Sequence, residues 1–287
     1  MSSQTLTSTN ATSHGRRRIR PGTFQADRFM HWSMNAYLGF FLLYLFVPLM
    51  IMVVAAFNEN RIPSVTEWQG TTLHWFEVLF QNERMWQAVL NSLVIGAGVV
   101  VMSLTFGLAG ALLLSRLHSR ANTLFYAILV SPLLTPGIIL GISTLIFWNN
   151  FGVPGGLFLT VVAQSTFISA YCMLLFLARL QRFDPALEEA ALDLGASHRQ
   201  VFYKITLPFL KPAILSGGVI AFLQSFENYN TTLFAIGSDY TLTTNIASRV
   251  KMGLTPEINA LGVIFIAVTL VLSIVYEIRR RRSKPVE

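Results

Sequence analysis

One cysteine, Cys172, occurs among the 287 residues, so no intrachain disulfide can form and a cysteine-built metal cluster is excluded. It falls in an apolar stretch, where a thiol behaves as a small apolar group. Lysine never follows glycine: Lys204, Lys211, Lys251 and Lys284 follow Tyr203, Leu210, Val250 and Ser283, so a Gly-Lys-Ser/Thr phosphate loop is absent. The histidines, His14, His31, His74, His118 and His198, have no HExxH spacing, and no GxSxG elbow occurs. These absences argue against an enzyme and against a cofactor held by this chain.

Charge is also scarce, at 12 % of residues against 53 % hydrophobic, and the apolar residues fall in long blocks. That composition is one of an integral membrane protein. Met34 to Phe57 is an uncharged run, longer than the roughly 20 residues that cross a bilayer core of about 30 Å. Comparable runs follow at 91–115, 124–147, 157–178, 213–236 and 260–277, predicting an all-α, multi-pass fold of six transmembrane helices with both termini on one side. The first run lies too far into the chain, and is too long, for a cleaved signal peptide, so it reads as a retained anchor.

Arginine placement sets the orientation. Arg16, Arg17, Arg18, Arg20 and Arg28 precede the first run, Arg116 and Arg120 follow the second, and Arg279 to Arg282 with Lys284 close the chain, so both termini are expected in the cytoplasm. The first external loop carries Glu59, Glu67, Glu77 and Glu83 against Arg61 and Arg84. The pI of about 9.9 comes largely from the basic arms, which fit anionic lipid rather than nucleic acid. Residues 1–33 are expected as a disordered basic tail, 34–278 as the six-span transmembrane domain and 279–287 as a basic tail.

A polar segment, 183–212, interrupts the apolar blocks and by the same rule faces the cytoplasm. Asp184 before Pro185 is a helix start, and Leu187, Ala190, Ala191 and Leu194 recur at helical spacing, leaving Glu188, Glu189 and Asp193 to other faces. Gly195 lets the backbone turn out, and a second helix, from Ser197 to Ile205, is expected to stop by Pro208. Two short helices bent at a glycine make a knob suited to a soluble partner.

Three features mark the spans. Ser103, Gly107, Gly110 and Ala111 form a small-residue face for close helix approach, read first as packing. Ser131, Pro132, Thr135, Pro136 and Gly137 interrupt the third run, predicting a kinked helix that lines a cavity or is purely structural. Glu227 is a carboxylate inside the fifth run, with Gln224, Asn228 and Thr231 at helical spacing. These residues, with Pro132 and Pro136, are expected to line a path. The alternatives for Glu227 are a structural pair with another helix, or a position near the outer interface of a shorter span.

Glu189, Ala190, Ala191, three residues, Gly195, nine residues, then Ile205-x-Leu207-Pro208 resembles the EAA motif of permease subunits of bacterial ABC importers. From Tyr37 to the C-terminal arginines the chain looks like the second permease of the spermidine/putrescine importers, with VSPLLTPGIILGIS and KMGLTPEINALG as supporting stretches. The resemblance implies a type I importer permease fold in the bacterial inner membrane. It also implies a second homologous permease, two ATPase copies holding ATP and Mg, and an extracytoplasmic substrate-binding protein. Coupling to the ATPase would fall to Glu188, Glu189, Ala190, Ala191, Asp193, Gly195, Ile205, Leu207 and Pro208. The implied solute is a polyamine, but Glu227-Asn228 stands where the family tends to carry two adjacent acids. Another small nitrogenous or organic compound, such as an opine, an amino-acid derivative or a phosphonate-like solute, stays open. So does a different class, a self-sufficient secondary transporter, which would not need the knob.

Overall fold

The computed structural model describes residues 22–62, 65–117, 121–253 and 255–282, with side chains from Met30 to Arg281. The expectations placed on Arg16, Arg17, Arg18, Arg20, Arg120 and Lys284 lie outside these residues, as do the side chains of Arg28 and Arg282. The chain divides into two compact units, 1–54 and 55–287. The described residues of the first belong to helix α1, Gly22–Ala56, which runs on past the unit boundary. It starts well before Met34, so residues 22–33, expected in the disordered tail, are helical. Most of them are adequate helix formers and none is proline, which leaves nothing to stop the helix there. Its side chains from Met30 to Ile51 are exposed and mostly apolar, as lipid requires.

The second unit contains α2 (His74–Gln81), α3 (Glu83–Arg116), α4 (Ala121–Leu134), α5 (Gly137–Asn149), α6 (Leu157–Leu180), α7 (Ala186–Asp193), α8 (His198–Val201), α9 (Leu207–Phe226), α10 (Thr232–Ala235), α11 (Leu242–Met252) and α12 (Glu257–Arg282). Among the described residues there is no strand, only an isolated antiparallel bridge between Asn58 and Thr71. Five helical runs are long and apolar enough to cross a membrane, six if α4 and α5 count as one broken span.

The core is α3 against α6 and α9. Here the small-residue face finds its use: a Cβ on Gly107 would come within 2.7 Å of the Cys172 Cβ, and one on Gly110 within 2.9 Å of the Met173 sulfur. Gly96 and Gly217 likewise seat the rings of Phe222 and Phe176. In lipid, where burial against a neighbour gains little over burial in acyl chains, such close contact supplies the association energy.

Around the start of α3 a second cluster forms from Leu79, Met85, Leu242, Ala260 and Leu261. Asn82 caps α3 by accepting the Met85 N–H at 3.1 Å, and its amide donates to the Glu257 carboxylate at 3.2 Å. Glu257 is buried and pairs with Arg249, while the Thr255 hydroxyl adds a third donor. Burial, and then the nearby Arg84 charge, lower the Arg249 pKa from its ordinary value, but guanidinium stays charged at any accessible pH. A carboxylate so enclosed persists because its oxygens are satisfied, and removing one partner would strand the other's charge.

Two spans depart from the linear reading. The third is not a kinked helix: α4 and α5 meet at a bend of 104°. Thr135, preceding Pro136, is kept from helical geometry, and Pro136 supplies no donor. The freed α4 carbonyls are taken locally, Pro132 by the Thr135 N–H at 3.3 Å and Ser131 by the Thr135 hydroxyl at 3.1 Å. The second departure is at Pro208, which does not end a helix. From His198 to Phe226 the helical run is continuous over 29 residues, with a π-helical turn at Phe202–Thr206. The wider turn makes room ahead of Pro208, whose ring would otherwise press on the preceding turn and whose missing N–H would leave a gap. The fifth span then stops at Phe226 rather than reaching 236.

Candidate functional site

At the knob, helix-end chemistry explains the motif spacing. The Asp184 side chain accepts the Ala186 N–H at 3.0 Å to start α7. At the other end the Gly195 N–H bonds to the Leu192 carbonyl at 2.9 Å, and the Ala196 N–H to the Ala191 carbonyl at 3.0 Å. With Gly195 at φ +86° this is a Schellman termination, which requires a left-handed residue two positions past the last helical one. Ala191 and Gly195 are therefore four apart because one supplies the carbonyl and the other the reversal. Ser197 and Gln200 then form a reciprocal capping box that opens α8, a signature legible as Ser-x-x-Gln.

The expected coupling residues divide by direction. Glu189, Ala190, Asp193, Gly195 and Pro208 are exposed, and between them Leu194 is 89 % exposed at the tip. Ile205 and Leu207 are half-buried in the long helix. Glu188 turns inward: its carboxylate accepts the Thr206 hydroxyl at 2.5 Å and lies 3.5 Å from the Arg116 guanidinium. The part played by Thr206, which is buried, carries no signal in sequence.

The residues expected to line a path gather at the two broken spans. A cleft of about 370 Å³ is lined by Pro132, Thr135, Gly137, Phe167, Gln224, Glu227, Asn228, Tyr229, Asn230 and Thr231 among others. Pro136 stands at the break itself rather than on the cleft wall. Glu227 is not midway along a helix, as expected, but is the C-terminal cap of α9, exposed and without an ion pair among the described residues. The reason is Asn228, whose side-chain oxygen accepts the N–H groups of Thr231 and Thr232 at 3.1 and 3.3 Å and so turns the chain into α10.

The two breaks are packed on each other. A Cβ on Gly137 would lie 2.8 Å from the Thr231 hydroxyl, and one on Gly141 2.5 Å from the Thr231 carbonyl. Behind them Gln164, Ser225 and Thr232 form a buried hydrogen-bonded set, Gln164 donating to Thr232 at 2.7 Å and accepting from Ser225 at 2.5 Å. The Thr231 hydroxyl is buried and has no partner among the described residues. Phe167 joins the cleft wall from α6 with no sequence pattern to announce it.

Electrostatically the cleft favours a cation. The C-terminal ends of α4 and α9 are set against the N-terminal ends of α5 and the four-residue α10, so the Glu227 carboxylate sets the sign of the cleft.

Residues 103–285, which include both knob and cleft, match the family model described as the binding-protein-dependent transport system inner membrane component. The spermidine/putrescine transport system permease protein PotC of Haemophilus influenzae is 32 % identical over 250 residues, covering 87 % of this chain and 96 % of that protein. The putrescine transport system permease protein PotI of Escherichia coli is 34 % identical over 256 residues, covering 86 % and 90 %. A solved bacterial ABC transporter that imports the acidic polysaccharide alginate superposes with a TM-score of 0.67 at 17 % identity, over 90 % of this chain and 98 % of that one. The alginate transporter in complex with its pentasaccharide-bound periplasmic protein gives 0.66 at 22 %, over 92 % and 98 %. At these identities the structures attest the fold.

Proposed function

Because the chain belongs to the family of binding-protein-dependent transport system inner membrane components, we propose that it is the permease subunit of an ATP-driven importer that passes a polyamine of the putrescine/spermidine class. The observation that carries this reading is the continuous helical run from His198 to Phe226. One end begins at the exposed knob, and the other delivers Glu227 to the cleft about 40 Å away. A displacement imposed at the knob is thereby passed to the cleft without crossing a loop.

In this reading the outward set around Leu194, Glu189 and Asp193 docks on an ATPase subunit, of which two copies bind ATP and Mg. A second homologous permease completes the path, and an extracytoplasmic binding protein delivers the solute. Arg116, Arg179 and Arg182 lie at the ends of α3 and α6 nearest α7, so the positive-inside rule supports a cytoplasmic knob and cytoplasmic termini. ATP binding would draw the two ATPases together, and the long helix would rock the cleft between outward and inward access. The cation-favouring cleft and the names of the relatives support the polyamine.

The test is purification of the full chain from membranes with the ATPase and second permease of its system. The proteins are expected to leave the column together and to hydrolyse ATP faster when loaded binding protein is added. A self-sufficient transporter would purify without the ATPase and move solute without ATP.

A further inference from the structure

We propose that Glu188, Thr206 and Arg116 form a two-part joint in which the Thr206 bond holds and the Arg116 contact slips, so that α7 travels with the long helix and parts from α3 during the transport cycle. The proposal rests on the docking role given to the knob above.

Glu188 sits in the first turn of α7, and its side chain is 24 % exposed. One carboxylate oxygen accepts the hydroxyl of Thr206 at 2.5 Å, and Thr206 is 1 % exposed at the last position of the π-helical turn. A short hydrogen bond to an ionised group, shielded from water on the threonine side, is the strong kind. It closes a ring whose other side is the Schellman turn and the Ser197 capping box, so α7 is fixed to the long helix at both of its ends. Without it the covalent tie between α7 and the long helix would be the reversal at Gly195, and part of a push on the knob would be spent bending that turn.

The Arg116 contact is different in kind. It is made at 3.5 Å by a side chain 60 % exposed at the end of α3, and a water-screened pair of that length contributes little. α3 is in turn packed along α6. A linkage with one firm and one weak arm from the same carboxylate lets the knob stay on one helix while sliding against another.

Thr206→Val and Thr206→Ser, with Glu188→Leu and Glu188→Gln, test this in the complete complex by uptake of labelled putrescine per ATP hydrolysed. Thr206→Val and Glu188→Leu are expected to lower that ratio by about tenfold or more, the scale of losing one hydrogen bond to a charged group, while the ATPase stays bound and active. Thr206→Ser keeps the hydroxyl and should remain within about twofold of wild type, while Glu188→Gln, which keeps an acceptor but loses the charge, should fall between Thr206→Ser and Thr206→Val. The pairs probe one bond from both sides, so a variant lost to misfolding leaves the test standing. An unchanged ratio in Thr206→Val or Glu188→Leu, or equal loss in Ser and Val, would overturn the joint. Failure of the wild-type chain to hold an ATPase would instead overturn the docking role itself.

Discussion

Gly195→Asp is expected to leave the chain inserted and folded but to uncouple ATP hydrolysis from uptake. Apart from its chain neighbours, no atom among the described residues lies within 4 Å of a Cβ placed on Gly195, so the substitution finds room at its first atom. Its backbone cost comes from φ +86°, about 1–2 kcal/mol for an L-residue, with aspartate among the better tolerated. The larger effect is on the partner. The carboxylate projects from the reversal beside Asp193 and Leu194, where docking must bury an apolar tip, and burying an unpaired charge there is expensive. Uptake in reconstituted complexes should fall by at least about tenfold, equivalent to about 1.4 kcal/mol of lost coupling. Chain abundance in the membrane should stay unchanged. An assembled complex with normal transport would show that the knob does not carry the coupling.

Glu227→Gln should abolish most uptake at low solute concentration without weakening the fold. A carboxylate at a helix C-terminus opposes the helix dipole by about 0.3–1 kcal/mol, and Glu227 has no ion pair among the described residues to offset it. Its replacement by a neutral amide is therefore neutral or stabilising for the chain, so lost transport cannot be laid to misfolding. If an ammonium passes Glu227, the loss is that of a charge-assisted contact, about 1.5–3 kcal/mol, or about ten- to a hundredfold in uptake below saturation. Unchanged uptake and unchanged apparent affinity would remove Glu227 from the path.

What was legible in the sequence was the chemistry that acts over a few residues. The knob's first helix, its start at Asp184 and its reversal at Gly195 follow from cap preferences, and the small-residue face of α3 follows from spacing. The misreadings arose where a local rule met a competing one. Pro208 reads as a stop, yet the π-helical turn ahead of it accommodates the ring and the helix continues. Glu227 and its polar neighbours read as one helical face, yet Asn228 caps a new helix and breaks the old one, an outcome helped by Gly141, which admits the Thr231 carbonyl, and Gly137, which admits its hydroxyl. Pro132 and Pro136 announce an interruption but not a 104° bend, whose angle is set by packing. The Arg249, Glu257 and Asn82 network joins residues far apart in the chain, and no spacing rule reaches that distance.

The most direct test of the importer reading is uptake of labelled putrescine and spermidine into proteoliposomes that hold this chain with its second permease and ATPase, binding protein outside, with and without ATP and Mg inside. ATP-dependent accumulation of either amine is the expected result. Accumulation that does not need ATP would contradict an ATP-driven importer. Hydrolysis stimulated by the binding protein with neither amine moved would contradict the polyamine, and would turn attention to a solute matched to a single carboxylate at Glu227.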